Sequence, residues 1–246
     1  MIVDVVIPAL NEEGNMAALL SALTGTGSQA GWRHVVVCDN GSTDGTAAAA
    51  RAGGAVVVSE GQRGYGAACL AGLRWIAQQA TAPDAVAFVD ADLSDDPATL
   101  PRLVATMQTQ AADLVLGSRR RWAEAGALDP HQRFGNALAC VLLQWTTGHR
   151  YTDLGPMRVV RWSAMQRMRM ADRTWGWTVE MQFKAVKLGL RVVEVDVPYR
   201  RRRSGRSKIS GSLVGSVRAG TTIISTIGRL WWSSRHGGFQ AERVAA

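Results

Sequence analysis

Residues 85–92 read Ala85-Val86-Ala87-Phe88-Val89-Asp90-Ala91-Asp92, an unbroken apolar run that stops on two aspartates. A short run of this kind is a strand buried on both faces. Three similar runs precede it: Ile2–Ile7, broken only by Asp4, then His34–Cys38 and Gly54–Val58. Helical spacing fills the gaps. Asn11–Leu23 puts Met16, Leu19, Leu20 and Leu23 on one side, Ser42 or Thr43 can cap a helix through Ala50, and Tyr65–Gln79 reads as a third helix. Beyond the aspartates, Pro97–Gln108 is a helix with its proline near the start, and Leu114–Leu116 is a short strand. Apolar strands alternating with helices predict an α/β fold with a parallel sheet covered on both faces.

The second half is less regular. Helices are expected at Phe134–Trp145, Ser163–Met168 and Val179–Leu188, the last closed by Gly189, and strands at Met157–Val160 and Arg191–Val197. Pro198–Lys208 is a basic loop and the one break in composition. With 246 residues, 47% of them hydrophobic and 20% charged, the chain is neither disordered nor a fibrous repeat. The net charge of +8 is concentrated at one end: residues 198–246 hold ten basic residues and one acidic, whereas residues 1–197 are close to neutral. Such a tail suits a polyphosphate, an anionic membrane surface or nucleic acid. The three cysteines, Cys38, Cys69 and Cys140, are too few and too scattered for a disulfide framework or a zinc site, so a reducing, cytoplasmic setting is expected. The N-terminal residues read as a strand entering a turn and not as a signal peptide.

Ser212–Trp232 is the best candidate for a membrane span, but it is rich in Gly, Ser and Thr, and Arg218 and Arg229 interrupt it, which argues against one. Leu213, Val217, Ile223, Ile224, Ile227, Leu230 and Trp231 share one helical face. That face can lie on a membrane surface or pack on its own domain.

In an open parallel sheet, ligands bind beyond the carboxyl ends of the strands. All four N-terminal strands are followed there by polar or glycine-rich residues: Pro8-Ala9-Leu10-Asn11-Glu12, then Asp39-Asn40-Gly41-Ser42-Thr43-Asp44-Gly45-Thr46, then Arg63-Gly64-Tyr65-Gly66, then Asp90-Ala91-Asp92. Residues two apart on extended backbone point the same way, so Asp90 and Asp92 form a hard oxygen pair for Mg²⁺ or Mn²⁺ carrying a diphosphate. The alternative is that Asp92 or Asp95 merely caps the helix near Pro97. Asp39 can accept hydrogen bonds from a nucleobase, or serve the Asn40-Gly41 turn, while Asp44 suits the first turn of a helix. Gly64 and Gly66 allow close approach of a ligand to the backbone, although their spacing matches neither the dinucleotide fingerprint nor the P-loop.

These four segments, in this order, resemble family 2 glycosyltransferases. Leu93-Ser94-Asp95-Asp96-Pro97 after the aspartate pair makes the polyprenyl (dolichyl) phosphate sugar synthases the most similar branch. Gly117-Ser118-Arg119, Arg133-Phe134-Gly135-Asn136, Thr152-Asp153-Leu154-Gly155-Pro156-Met157-Arg158, Val179-Glu180-Met181 and the run from Arg202 to Lys208 extend the resemblance over roughly residues 2–210. It implies a GT-A fold, a Rossmann-like mixed sheet covered by helices, over residues 1–210, followed by a basic amphipathic helix and tail at 211–246. It also implies inverting, metal-dependent transfer of a hexose from a UDP- or GDP-sugar to a polyprenyl phosphate.

The resemblance assigns the nucleotide sugar to Pro8, Ala9, Asn11, Glu12, Asp39, Asn40, Gly64, Asp90, Ala91, Asp92, Arg202, Ser207 and Lys208. Mg²⁺ or Mn²⁺ falls to Asp90 and Asp92. The catalytic set is Asp92, Arg119, Arg133, Asp153 and Glu180, with the two arginines toward the acceptor phosphate. Members with hydroxyl acceptors carry Glu-Asp at the start of the helix corresponding to Val179–Gly189, the Asp being the base. Here that place is Thr178, with Asp153 as a fallback base. An ionised phosphate acceptor needs no base. Many lipid-phosphate members carry membrane spans, which this chain lacks, so a soluble acceptor is the alternative. Trp175 and Trp177 either line the acceptor groove or pack in the core. A cytoplasmic enzyme, peripheral on the inner membrane face, is the expected setting. A nucleotidyltransferase is disfavoured by Pro8–Glu12, where a glycine-rich basic loop would be needed. Nucleic-acid binding is disfavoured by the near-neutral body and its carboxylates.

Overall fold

The computed structural model describes residues 1–24, 31–202 and 213–236. The elements run β1 (Val3–Ala9), α1 (Glu13–Thr24), β2 (Trp32–Asp39), α2 (Thr46–Ala52), β3 (Val56–Ser59), α3 (Tyr65–Ala77) and β4 (Ala85–Phe88). A 3-10 turn at Pro97–Thr99 leads into α4 (Leu100–Thr109). Then come β5 (Leu114–Ala123), α5 (Pro130–Thr147), β6 (Arg158–Arg161), α6 (Trp162–Met168), α7 (Trp177–Lys187), β7 (Val192–Tyr199) and α8 (Leu213–Arg235). The seven strands form one sheet in the order β3-β2-β1-β4-β6-β5-β7.

Strand alternation sorts side chains between two cores. Val6, Val86, Phe88, Leu114, Leu116 and Val160 face α3, α5, α6, α7 and α8. Their neighbours Val5, Ile7, Ala85, Ala87, Val115 and Val159 face α1, α2 and α4. Both faces of the central strands are therefore dry, which is why their sequences are apolar throughout. Asp4, inside β1, is fully buried, and its carboxylate is held by the Arg33 guanidinium at 2.5 and 3.0 Å.

β6 runs antiparallel to both β4 and β5, so the sheet is mixed, as the family resemblance implies, although the alternation of apolar strands and helices alone predicts a parallel one. β5 continues well past Leu116 to Ala123, paired with β7, and carries Ser118 and Arg119 to the ligand end. Its outer half, Arg119-Arg120-Arg121-Trp122, is polar because one side opens to solvent and the cleft. Neither Ser42 nor Thr43 caps α2. The helix near Pro97 is capped by Asp96, whose Oδ1 accepts the Ala98 N–H at 3.1 Å, and not by Asp92 or Asp95.

α8 packs one side against α5 and α7, burying Ile227 and Leu230 in the same core as the sheet. Its other side faces outward. Among the described residues, no helix is long and apolar enough to cross a membrane.

The start of α3 lies directly on the segment 172–174. Gly66 donates its N–H to Thr174 O at 3.2 Å and Ala67 to Arg173 O at 3.0 Å. A Cβ on Gly66 would sit 2.0 Å from the Asp172 carbonyl oxygen, which is backbone and has no rotamer to yield. Gly66→Ala is expected to lose at least about 2 kcal/mol of stability by strain of this kind. Urea denaturation checks it; an unchanged midpoint would show that the segment can move aside.

Candidate active site

The carboxyl ends of β1, β4 and β5 open into a cleft of about 1180 Å³. One end is polar and holds Pro8, Ala9, Glu12, Asp90, Ala91, Asp92 and Arg202. The middle is basic, with Arg119, Arg120 and Arg133. α5 and α8 add apolar side chains, Phe134, Leu138, Val141, Ile223 and Ile224, interspersed with Gln132, Asn136, Gln144 and Thr221.

Asp90 and Asp92 follow β4 directly. Asp90 Oδ1 accepts the Tyr65 hydroxyl at 3.0 Å, and Asp92 Oδ1 accepts the Ser94 N–H at 2.9 Å. Burial, then the charge of Asp92, push the Asp90 carboxyl up to about 7. Arg202 reaches over the pair: its guanidinium is 3.7 Å from Asp92 Oδ2 and also pairs with Glu12. Among the described residues, no three His, Cys, Asp or Glu side chains gather to hold a metal alone. Two carboxylates with an unmet demand for positive charge fit a cation that takes its other ligands from water and diphosphate.

Arg119 and Asp153 form a bidentate pair, Nε to Oδ2 and Nη2 to Oδ1, both at 2.8 Å. The Arg119 backbone N–H adds a third bond at 2.8 Å, and the guanidinium lies 5.0 Å over the Tyr199 ring. Burial would raise the Asp153 carboxyl, but Arg119 outweighs it and holds the group below the usual carboxylate range. This corrects the reading of Asp153 as a base. An anion locked to a guanidinium is a poor proton acceptor, and here it holds Arg119 at three points.

Glu180 is also corrected. It is buried and does not line the cleft. Its carboxylate accepts the N–H groups of Ala171 and Asp172 and pairs with Lys184 Nζ at 2.7 Å. It braces the segment on which α3 begins. Gly64 is explained by the same contact: its φ is +149°, and a Cβ there would meet Arg173 O at 2.0 Å. The close approach is made to the protein's own backbone.

Asn40 lines the cleft, but its amide is consumed locally. It donates to Glu60 O at 3.1 Å and Gln62 O at 2.7 Å and accepts from Gly64 N at 2.8 Å. Asn11, at φ +51°, accepts the Thr43 N–H at 2.7 Å and lies on the surface beside the cleft residues. It ties two loops together. Asp39 Oδ1 accepts the Ser42 N–H at 3.1 Å at the end of β2. Arg133 is exposed on α5 and lines the basic middle. Trp177 is buried in the core, whereas Trp175 lines the cleft, as does Thr178. Ser207 and Lys208 lie outside the described residues.

Three residues have roles at the site that the sequence does not assign. Tyr65 binds Asp90. Arg158, 1% exposed, donates to the carbonyls of Gly155, Pro156 and Thr178 beneath the cleft. Asp95 is buried, with neither carboxylate oxygen hydrogen-bonded among the described residues, and burial raises its carboxyl well above the usual range. A polar residue inside a quoted motif was the only signal for Arg158 and Asp95.

The model of glycosyl transferase family 2 matches residues 4–191. The chain belongs to that family. An uncharacterized glycosyltransferase of Mycobacterium tuberculosis is 43% identical over 87% of this chain and 93% of its own length. An undecaprenyl-phosphate mannosyltransferase of Micrococcus luteus is 31% identical over 85% of this chain and 88% of its own. The resemblance to the polyprenyl-phosphate sugar synthase branch therefore holds over most of the chain. The glucosyl-3-phosphoglycerate synthase of M. tuberculosis, solved with Mg²⁺ and UDP, superposes with a TM-score of 0.75 at 23% identity, covering 94% of this chain and 79% of that one. The mixed sheet of this family 2 glycosyltransferase is thus the GT-A fold.

Asp153→Asn is expected to cost about 3 kcal/mol at neutral pH by leaving Arg119 unpaired. Because the folded carboxyl is depressed, its contribution is complete above the ordinary carboxylate range and is lost as pH falls through the depressed value. The stability gap between wild type and variant should therefore close on acidification, as followed by chemical denaturation across pH. A gap that persists in acid would mean the pair is not what stabilises the region.

Proposed function

We propose that this family 2 glycosyltransferase moves a hexose from a UDP- or GDP-sugar to a polyprenyl phosphate at the cytoplasmic face of a membrane. The observation that carries the reading is the make-up of the cleft: carboxylates after β4, arginines from β5 and α5, and apolar side chains from α5 and α8 line one space. That combination fits a metal-bound diphosphate, an acceptor phosphate and a hydrocarbon chain. A small polar acceptor would leave the apolar side chains of α5 and α8 without a partner. The name of the M. luteus relative points to the same acceptor class.

On this reading, Asp90 and Asp92 hold Mg²⁺ or Mn²⁺, and the cation stabilises charge on the departing nucleoside diphosphate. Pro8, Ala9, Glu12 and Asp39 meet the nucleoside. Arg202 leaves Glu12 and Asp92 for the diphosphate, with Ser207 and Lys208 following in the same segment. Arg119, aimed by Asp153, and Arg133 hold the acceptor phosphate, for which planar guanidinium is suited. A phosphate oxygen attacks the anomeric carbon opposite the leaving group, and the bond from that carbon to the diphosphate breaks. The nucleophile is already an anion, so no proton has to be removed. Among the described residues, the carboxylates lining the cleft are Glu12, Asp90, Asp92 and Asp153, and Thr178 also lines it.

Purified protein with Mg²⁺ or Mn²⁺, a panel of UDP- and GDP-sugars, and a short polyprenyl phosphate in detergent tests this directly. Nucleoside diphosphate should be released only when the lipid phosphate is present; release indifferent to the lipid would favour a soluble acceptor. Asp92→Ala should abolish transfer while the fold persists, and activity retained with Mg²⁺ would remove the metal assignment. Thr178→Ala should stay within about tenfold of wild type, since general-base loss typically costs 10²–10⁴-fold.

A further inference from the structure

Asp90 and Asp92 share one cation in the proposed function, yet they are held in different ways. Asp92 is tied within its own loop by the Ser94 N–H. Asp90 directly continues β4 and takes no N–H from that loop. Among the described residues, its one hydrogen-bond donor is the Tyr65 hydroxyl, which reaches Oδ1 at 3.0 Å from the start of α3. The bond occupies one carboxylate oxygen. Asp90 lines the cleft, and Oδ2 is the oxygen left for a ligand.

The donor is fixed by its surroundings. Tyr65 opens α3 between Gly64 and Gly66. A Cβ on either glycine would run into the carbonyl oxygens of Arg173 and Asp172, respectively. Gly66 and Ala67 donate their N–H groups to Thr174 O and Arg173 O. That segment is fixed in turn. Glu180 accepts the Asp172 N–H at 2.7 Å, and the Thr226 hydroxyl of α8 donates to Asp172 Oδ2 at 3.1 Å. The Tyr65 ring packs against the hydrophobic core. A phenol carries its hydroxyl on a rigid ring with two side-chain torsions, so packing that fixes the ring also fixes the donor. Arg158, on β6 beside Phe88 of β4, adds positive charge that favours the Asp90 anion.

We propose that Tyr65 is a positioning residue for the divalent cation: it clamps Oδ1 of Asp90 so that Oδ2 meets the metal in a single orientation. The proposal rests on the assignment of the cation to Asp90 and Asp92. A carboxylate can ligate a cation through one oxygen or through both. A donor held on one oxygen removes that freedom before the metal arrives. Outer donors of this kind typically carry about 10–100-fold of metal affinity. Tyr65 also lines the cleft, so direct contact with the nucleotide is the competing role. A positioning residue acts only through the metal, whereas a contact acts without it.

Calorimetric titration of UDP and GDP into the full chain, in EDTA and at a series of Mn²⁺ concentrations, separates these roles. In wild type, Mn²⁺ should tighten binding of one of the two nucleotides. In Tyr65→Phe, which keeps the ring, the Mn²⁺ concentration giving half of that tightening should rise about 10–100-fold. Binding in EDTA and the urea midpoint should stay as in wild type. Asp90→Asn should erase the tightening. A Tyr65→Phe protein with the Mn²⁺ dependence of wild type would overturn the proposal and leave the cation assignment standing. Weaker binding of Tyr65→Phe in EDTA would overturn it too, since Tyr65 would then touch the nucleotide itself. No tightening in wild type, or tightening retained in Asp90→Asn, would remove the cation assignment and the proposal with it.

Discussion

Crowded negative charge at the carboxyl end of β4 sets the terms for the rest of the site. Asp90 and Asp92 stand two residues apart, and Asp95 is buried three residues further on. Such a cluster is stable only if protons, cations or hydrogen-bond donors offset it. Each carboxylate meets the demand differently. Burial favours the neutral form of Asp95, and of Asp90 up to about 7. Asp92 takes the Ser94 N–H and has Arg202 beside it. An incoming divalent cation with its diphosphate would relieve the same repulsion.

Holding this geometry is the task of carboxylates bonded within the protein itself. Glu180 fixes the N–H groups of Ala171 and Asp172, and the carbonyls of Asp172 to Thr174 receive Gly64, Gly66 and Ala67. That contact sets the first turn of α3, and with it the Tyr65 hydroxyl that reaches Asp90. On the other side, Asp153 fixes Arg119 at three points. Both braces are buried acids bound to donors. This explains why they look like catalytic carboxylates in the sequence and behave as supports in the fold.

The N-terminal half was legible because its physics is local. Apolar runs between amphipathic stretches identify buried strands, and the polar residues after them mark the ligand end. The second half was less so. β5 was read as three residues since Ser118 to Trp122 break the apolar pattern, although pairing with β7 keeps them extended. The antiparallel β6 depends on a chain reversal that no short-range signal records. At the site, Asp90 and Asp92 stand out because their two-residue spacing directly follows a buried strand. Asn11, Asn40, Gly64 and Glu180 could not be sorted, because a polar residue bonded to ligand and one bonded to a neighbouring loop look identical until the loops are in place.

α5 carries an exposed apolar stripe that was hidden for the opposite reason. Phe134, Leu138, Val141 and Trp145 have the spacing of a core-facing helix, yet α5 turns a different set inward: Ala139, Cys140 and Leu143. The helix is apolar on two sides, and only one of them can be satisfied by the protein. The inner side closes the core with α7 and α8, and the outer side, joined through the Trp145–Trp231 stack, keeps its demand for an apolar partner. Small residues where α8 passes the cleft, Ala219 and Gly220, leave room between the two helices. Phe134, Val141 and Ile224 therefore line the cleft and stand exposed on the outer surface at once.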